Sequence, residues 1–154
     1  MRDDLQLKQA NTEDMWLEII KGNRHFVIGG IYRHPNHNTD DFNQALKISV
    51  NSVVRENKTL IMAGDININL LQTNSKSTKD YSDVILGVNV IPCITLPTRI
   101  TDHSATLIDH INIYRPLNYF ENIKSGNIFM EISDHLPNFA LIEGKSNYTN
   151  DQPM

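Results

Sequence analysis

Residues 59–67 read Thr59-Leu60-Ile61-Met62-Ala63-Gly64-Asp65-Ile66-Asn67. The first five make a short unbroken apolar run, the pattern of a strand buried in the middle of a sheet. Gly64 stops it, and a glycine there lets another backbone or a ligand come close. Asp65 and Asn67, two apart in an extended segment, point to the same side. A strand that delivers a carboxylate and an amide to a crevice is a common way for an α/β protein to build a site. The same residues also describe an Asx-type turn leaving a strand, and on this stretch alone that reading is the commoner one.

Upstream, Met15 to Ile20 and His25 to Tyr32 are apolar stretches separated by Lys21-Gly22-Asn23, which predicts a β-hairpin. Asp40-Asp41 then precede Phe42, Ala45, Leu46, Ile48, Ser49, Val53 and Val54, the spacing of an amphipathic helix with acids at its positive end. Downstream, a weaker helical pattern covers 78–86. Ile91 to Leu96, Leu107 to Tyr114, Ile123 to Phe129 and Leu136 to Ile142 read as strands between loops rich in Asn, Ser, Thr and Pro. About seven strands and two helices make an α/β or α+β chain with much antiparallel pairing. The domain is expected over 1–144, with a polar, frayed tail over 145–154.

Composition narrows the function classes. A chain of 154 residues with 40% hydrophobic and 21% charged residues is ordinary globular material for one domain. No apolar run approaches the roughly 18 residues that span a bilayer, and the charged start Met1-Arg2-Asp3-Asp4 does not resemble a signal peptide. Cys93 is the single cysteine, so no internal disulfide is available; its apolar neighbours predict burial. The net charge of −4 argues against holding nucleic acid by bulk charge. Six Lys/Arg against three acids between Lys21 and Lys58 leave −7 elsewhere, which suggests a phosphate-facing side and a cation-attracting side.

Two further clusters place polar groups at strand ends. Ser133-Asp134-His135 precedes the strand that starts at Leu136, and neighbouring side chains there address different partners because they face opposite ways. Asp109 interrupts the apolar run Leu107-Ile108-Asp109-His110-Ile111, and a carboxylate in such a strand needs a partner. His135 is the obvious one, since an Asp109–His135 pair would fix the imidazole tautomer. Together the clusters supply carboxylates, a histidine and an asparagine, an oxygen-rich set suited to magnesium and phosphoryl chemistry.

These residues carry a resemblance. Trp16-Leu17-Glu18-Ile19, Gly30-Ile31-Tyr32-Arg33-His34-Pro35, Gly64-Asp65-Ile66-Asn67, Pro97-Thr98-Arg99-Ile100-Thr101, Ser104 through Ile111 and Ser133-Asp134-His135-Leu136-Pro137 follow in one order. The chain resembles the endonuclease/exonuclease/phosphatase family, and within it the endonuclease domain of jockey-like non-LTR retrotransposons. The resemblance implies a four-layered α/β sandwich, two facing mixed sheets with outer helices, and a phosphodiesterase site that uses magnesium, or manganese in its place. It assigns Asp65 to the attacking water, Asn67 and Tyr32 to the phosphate, His135 held by Asp109 to the developing charge, and Asp134 to the metal. Asn36 is the candidate for the asparagine after the tyrosine, at a spacing altered by Arg33-His34-Pro35. Arg99 and Ser104 fall among substrate-binding positions, with a solvated loop arginine as the plainer reading of Arg99.

In that family a strand bearing an asparagine, and a later one bearing the main magnesium-binding glutamate, lie upstream of the segment that Met1 to Ile20 matches. Glu13 and Glu18 match later positions and are not taken as metal ligands. The resemblance therefore implies an N-terminally incomplete domain with apolar surface uncovered and few anionic ligands, leaning towards inactivity. Ile66 stands in place of the usual Phe, and Asn138 in place of an apolar residue. The implied partner is DNA, in the nucleus, with no membrane or protein partner. A non-catalytic remnant that binds DNA weakly and a small-molecule phosphoesterase are the alternatives. His25, His34, His37, His103 and His110 lack ligand spacing. Trp16, Phe42, Met15, Met62 and Met130 are read as packing residues.

Overall fold

The computed structural model describes residues 1–116, 120–130 and 132–144; the tail expected over 145–154 lies outside them. After a 3-10 turn at Asp3–Leu5 come β1 (Thr12–Lys21), β2 (Arg24–Arg33), α1 (Thr39–Arg55), β3 (Thr59–Asp65) and α2 (Lys76–Leu86). Then follow β4 (Ile91–Pro92), β5 (Arg99–Ile100), β6 (Ala105–Thr106), β7 (Asp109–Tyr114), β8 (Phe120–Asn127) and β9 (Asn138–Gly144). A five-stranded mixed sheet runs β1-β2-β3-β7-β4, and β5-β6 and β8-β9 form two-stranded ribbons. The expected hairpin pairs along ten residues from Thr12↔Arg33 to Lys21↔Arg24. β2 and β3 are parallel, joined through α1 because parallel neighbours need a long crossover.

Both helices cover one face of the sheet. Asn38 caps α1 by accepting from the Asp40 and Asp41 amides, and Asp40 and Asp41 sit in its first turn. Phe42, Leu46, Val50 and Val53 then fall on one side and pack with Tyr81 and Ile85 of α2 against Trp16, Val27, Ile31, Leu60 and Met62. Ser75 caps α2, which starts at Lys76, two residues before the expected start. On the opposite face Ile94, Leu107, Ile111 and Ile113 meet Ile123, Ala140 and Ile142 of the β8–β9 ribbon, which forms the second β layer. The β1 side of that face stays open, with Met15 55% and Ile19 49% exposed.

The differences from expectation have local causes. The strand expected over 91–96 is reduced to Ile91 and Pro92, followed by a single hydrogen bond from the Cys93 amide to the Ile111 carbonyl; Pro92 brings no N–H to the ladder. Leu107 and Ile108 leave the strand expected from 107 because their amides go to Asn69 Oδ1 and Thr98 Oγ1. Met15 and Met130 are exposed rather than packed, whereas Met62, Trp16 and Phe42 are buried. Cys93 is only half-buried. No helix is long and apolar enough to cross a membrane.

Two core positions yield tests. Gly29 lies opposite Trp16 in the hairpin, and a Cβ there would meet the buried indole at 2.6 Å. Gly29→Ala is therefore expected to lower unfolding stability by about 1–3 kcal/mol through overpacking, read from urea denaturation. His110 is 1% exposed and lies beside the Tyr81 hydroxyl and the Ile68 carbonyl. Burial pushes its pKa down to about 4. The folded state thus resists protonation that the unfolded chain accepts near pH 6.5. Its contribution is complete above pH 6.5 and is lost as pH falls towards 4, by up to about 3 kcal/mol. A His110→Asn variant should show a correspondingly shallower loss across that window.

Candidate active site

The site forms where β3 ends and β7 begins. Antiparallel pairing puts Asp65 directly opposite Asp109. β2 runs parallel to β3 with Gly30 beside Ala63; continuing that register by two residues brings Tyr32 level with Asp65. Asp109 shares its sheet face with Ile111 and Ile113, the face covered by β8–β9. His135 arrives just before β9 and is fixed by an isolated bridge to Arg99 and by its amide bond to the Ser133 hydroxyl.

Asp109 and His135 meet as the sequence predicted. Nδ1 of His135 lies 2.9 Å from Asp109 Oδ2 and 3.2 Å from Oδ1. The carboxylate orients the ring, and with Nδ1 carrying the proton it leaves Nε2 towards the open side. Asp109 is itself held through its backbone. Its amide and that of Ile108 both donate to the buried Thr98 hydroxyl at 3.0 and 3.1 Å, and its carbonyl accepts from the Asn138 amide at 3.3 Å. The polar residue at 138 therefore has a use. Asp65, Asp109 and His135 each offer a ligand atom, all within 4.8 Å of one another. Burial and the Asp109 charge beside it push the Asp65 carboxyl above its ordinary pKa.

The turn after Asp65 is built tightly. A Cβ on Gly64 would fall 1.9 Å from the Ile31 carbonyl oxygen, and its φ of +149° suits glycine alone. Asn67 adopts φ +53° and donates its backbone N–H to Asp65 Oδ1 at 3.1 Å, so the Asx turn and the site are one structure. The Asn67 side-chain amide donates to the Arg33 carbonyl at 2.8 Å. Ile66, where the family pattern has Phe, is 3% exposed and packs into the helix-side core.

Other sequence candidates lie at the margin. Asp134 is outside the close cluster; Arg99 Nε donates to its Oδ2 at 2.7 Å and holds its carboxyl below the ordinary range. Arg99 is thereby paired rather than solvated. Tyr32 is 40% exposed on the open face. Asn36 is exposed in the turn after β2, its amide donating to His34 Nδ1. Ser104 is exposed at the tip of the β5–β6 ribbon, where its hydroxyl lies 2.9 Å from that of Thr101. Glu18 is far from the site, bonded to Arg2, His25 and Lys58. Lys58 and His25 hold its pKa near 2.

Four of the six basic residues between Lys21 and Lys58 do not face the site. Arg33 is buried, Lys58 is bonded to Glu18 and Glu56, and Lys21 and Arg24 face each other across the hairpin turn, at the opposite end of the strands from Asp65. Arg33 is the residue that sequence reasoning passed over. Its Nε and terminal nitrogens donate to the carbonyls of Ile66 at 2.7 Å, His37 at 2.5 Å and Asn67 at 2.8 Å. Its place immediately after Tyr32, in a stretch continuing into His-Pro-Asn, gave no sign that the cation turns inward.

No protein-family model matches the sequence, and no curated protein does. Solved structures do match. The endonuclease domain of TRAS1, a telomere-specific non-LTR retrotransposon, aligns at 14% identity with a TM-score of 0.66, over 86% of this chain and 63% of that one. An endonuclease/exonuclease/phosphatase family protein from Leptotrichia buccalis aligns at 14% identity and TM-score 0.60, over 87% and 61%. The beta toxin of Staphylococcus aureus aligns at 14% identity and TM-score 0.60, over 85% and 57%; a mutant of it with bound magnesium ions aligns at 15% identity and TM-score 0.54, over 84% and 57%. The chain spans between 57% and 63% of the length of these structures. Its mixed sheet, helix layer and β8–β9 layer are those of the endonuclease/exonuclease/phosphatase fold.

Proposed function

We propose that the chain belongs to the endonuclease/exonuclease/phosphatase family and carries a metal-dependent phosphodiesterase site directed at DNA, of the kind found in retrotransposon endonucleases. The observation that carries this reading is the convergence of Asp65, Asp109 and His135 within 4.8 Å at the ends of two strands. The two carboxylates suit a hard divalent cation such as magnesium or manganese. Asp65 and Asp109 would hold it, with His135 engaged through Nδ1 on Asp109 and left to serve the phosphate, and Asp134 would join them only by giving up Arg99. When bound, such a cation polarises a phosphoryl oxygen and offsets the charge that develops there.

The residues of the chain supply the rest. Asp65, with its pKa raised by burial and by Asp109, is placed to accept the proton of an attacking water. His135, oriented by Asp109, presents Nε2 as a hydrogen-bond donor to a phosphoryl oxygen once the ring is protonated, and Asp109 stabilises that imidazolium. Water then adds to phosphorus as the P–O bond to the leaving sugar oxygen breaks. Tyr32 lies level with this position by register, whereas the Asn67 side-chain amide, expected on the phosphate, is turned onto the Arg33 carbonyl. The likeness to the TRAS1 endonuclease domain, together with the order of the sequence motifs, supports DNA over a small phosphoester. Nuclear action follows from that reading.

A second reading, a non-catalytic relative that binds DNA weakly, has an observation of its own. The close cluster holds two carboxylates, and Asp134 is occupied by Arg99, a thin anionic set for magnesium.

Nicking of supercoiled plasmid across a magnesium and manganese series separates the readings. Metal-dependent nicking is expected, with Asp65→Ala and His135→Ala each lowering it by at least about 100-fold. Asp109→Asn should keep the fold and lower it by about tenfold or more, since the neutral amide no longer stabilises a charged imidazole. A folded chain that binds DNA in low salt and never nicks it establishes the second reading. Hydrolysis of a small aryl phosphodiester without plasmid nicking would move the substrate class instead.

A further inference from the structure

We infer that Arg33 is the positioning residue of the site, holding the 64–67 turn from behind so that Asp65 faces Asp109 and His135. The inference rests on the phosphodiesterase reading for its purpose, though not for its geometry. Arg33 ends β2 and is 2% exposed. Among the described residues its guanidinium has no carboxylate within ion-pair distance, which is unusual for a buried cation. Three main-chain carbonyls take the place of an acid, and two of them belong to Ile66 and Asn67, the residues that follow Asp65. The third, on His37, ties the same fork to the turn before α1. The Phe42 ring lies 5.8 Å below the guanidinium carbon.

The hold is reciprocal. The Arg33 side chain binds the Asn67 main chain, and the Asn67 side chain binds the Arg33 main chain. On its other side the turn is pinned by the Ile66 amide, which donates to the Ile108 carbonyl at 2.9 Å. Asp65 thus leaves a segment whose backbone is fixed from β2 and from the residue preceding Asp109. A planar fork with five donors reaches carbonyls on two separate turns at once; a lysine ammonium, a single point of charge, does not. Arg33 is buried behind the turn, donates only to main-chain carbonyls, and so acts through Asp65 and Asn67.

The test compares the full-length chain with Arg33→Lys, which keeps the charge, Arg33→Met, which keeps the packing on Phe42, and Arg33→Ala with and without added guanidinium. Amide hydrogen exchange at Ile66 and Asn67 is read beside that of β1, β2 and α1, and manganese affinity is read by water-proton relaxation. The expected result is exchange about 10- to 100-fold faster at the turn, with protection of β1 and α1 unchanged. Manganese should bind about tenfold more weakly, and guanidinium but not methylammonium should restore Arg33→Ala. Uniformly faster exchange, or an unchanged turn, overturns the inference. Failure of both Arg33→Lys and Arg33→Met to fold overturns it too, by placing Arg33 in the fold as a whole. A parent chain that binds no manganese would instead defeat the metal reading, and the exchange data would still decide the role of Arg33.

Discussion

The register between β3 and β7 is the constraint on which the rest depends. It sets Asp65 across from Asp109 and Gly64 across from His110. A slip of one residue would turn Asp109 towards the helix side and His110 towards the second β layer. The register is fixed from both faces. His110 and Asn112 point to the helices, where the Tyr81 hydroxyl meets both; Ile111 and Ile113 point to the β8–β9 ribbon. A polar network on one side and an apolar contact on the other admit a single alignment. The juxtaposition of Asp65 and Asp109 is thereby a by-product of core packing.

Around that axis the sequence was legible wherever a residue's neighbours along the chain determine its environment. The β1–β2 hairpin, α1 and the apolar run of β3 follow from periodicity and turn chemistry. The pairing of Asp109 with His135 followed from a simple demand: a carboxylate inside an apolar strand must be answered. Motif order led to the fold, which three solved structures of about the same low identity share. Where environment is set by distant segments, the sequence was silent. Arg33 gives no sign of its burial in the sequence, because nothing near it in the chain shows the carbonyls of 66 and 67 converging on it. Arg99 and Asp134 lie 35 residues apart, and each alone reads as a residue free for a ligand. Met15 reads as core because alternation predicts a buried face without saying which element covers it.

Polar placement around the site follows one pattern. Thr98 Oγ1 serves two amides at the start of β7, Asn69 Oδ1 serves the amide of Leu107, and Asn138 serves the carbonyl of Asp109. Thr98 and Asn69 lie on segments without regular structure of their own and Asn138 at the first residue of β9, and each takes up a main-chain group that the sheet leaves unpaired near its rim. The loops between strands therefore set the positions of the site carboxylates as much as the strands do. Ile66 belongs to the same scheme from the apolar side, anchoring the turn by its side chain while Arg33 holds its carbonyl.

The disposition of the arginines also sets an order of arrival. Both cations next to the carboxylates are already taken, Arg33 by backbone carbonyls and Arg99 by Asp134. A polyanion approaching the strand ends meets Asp65 and Asp109 with, among the described residues, both neighbouring arginines already paired. Long-range attraction at this end of the molecule therefore favours a small cation over a nucleic acid backbone. Under the phosphodiesterase reading, a divalent ion held there would cancel the negative charge of Asp65 and Asp109. The nucleic acid then docks against charge that the chain has borrowed, so its affinity should rise with the free concentration of the ion as well as with its own.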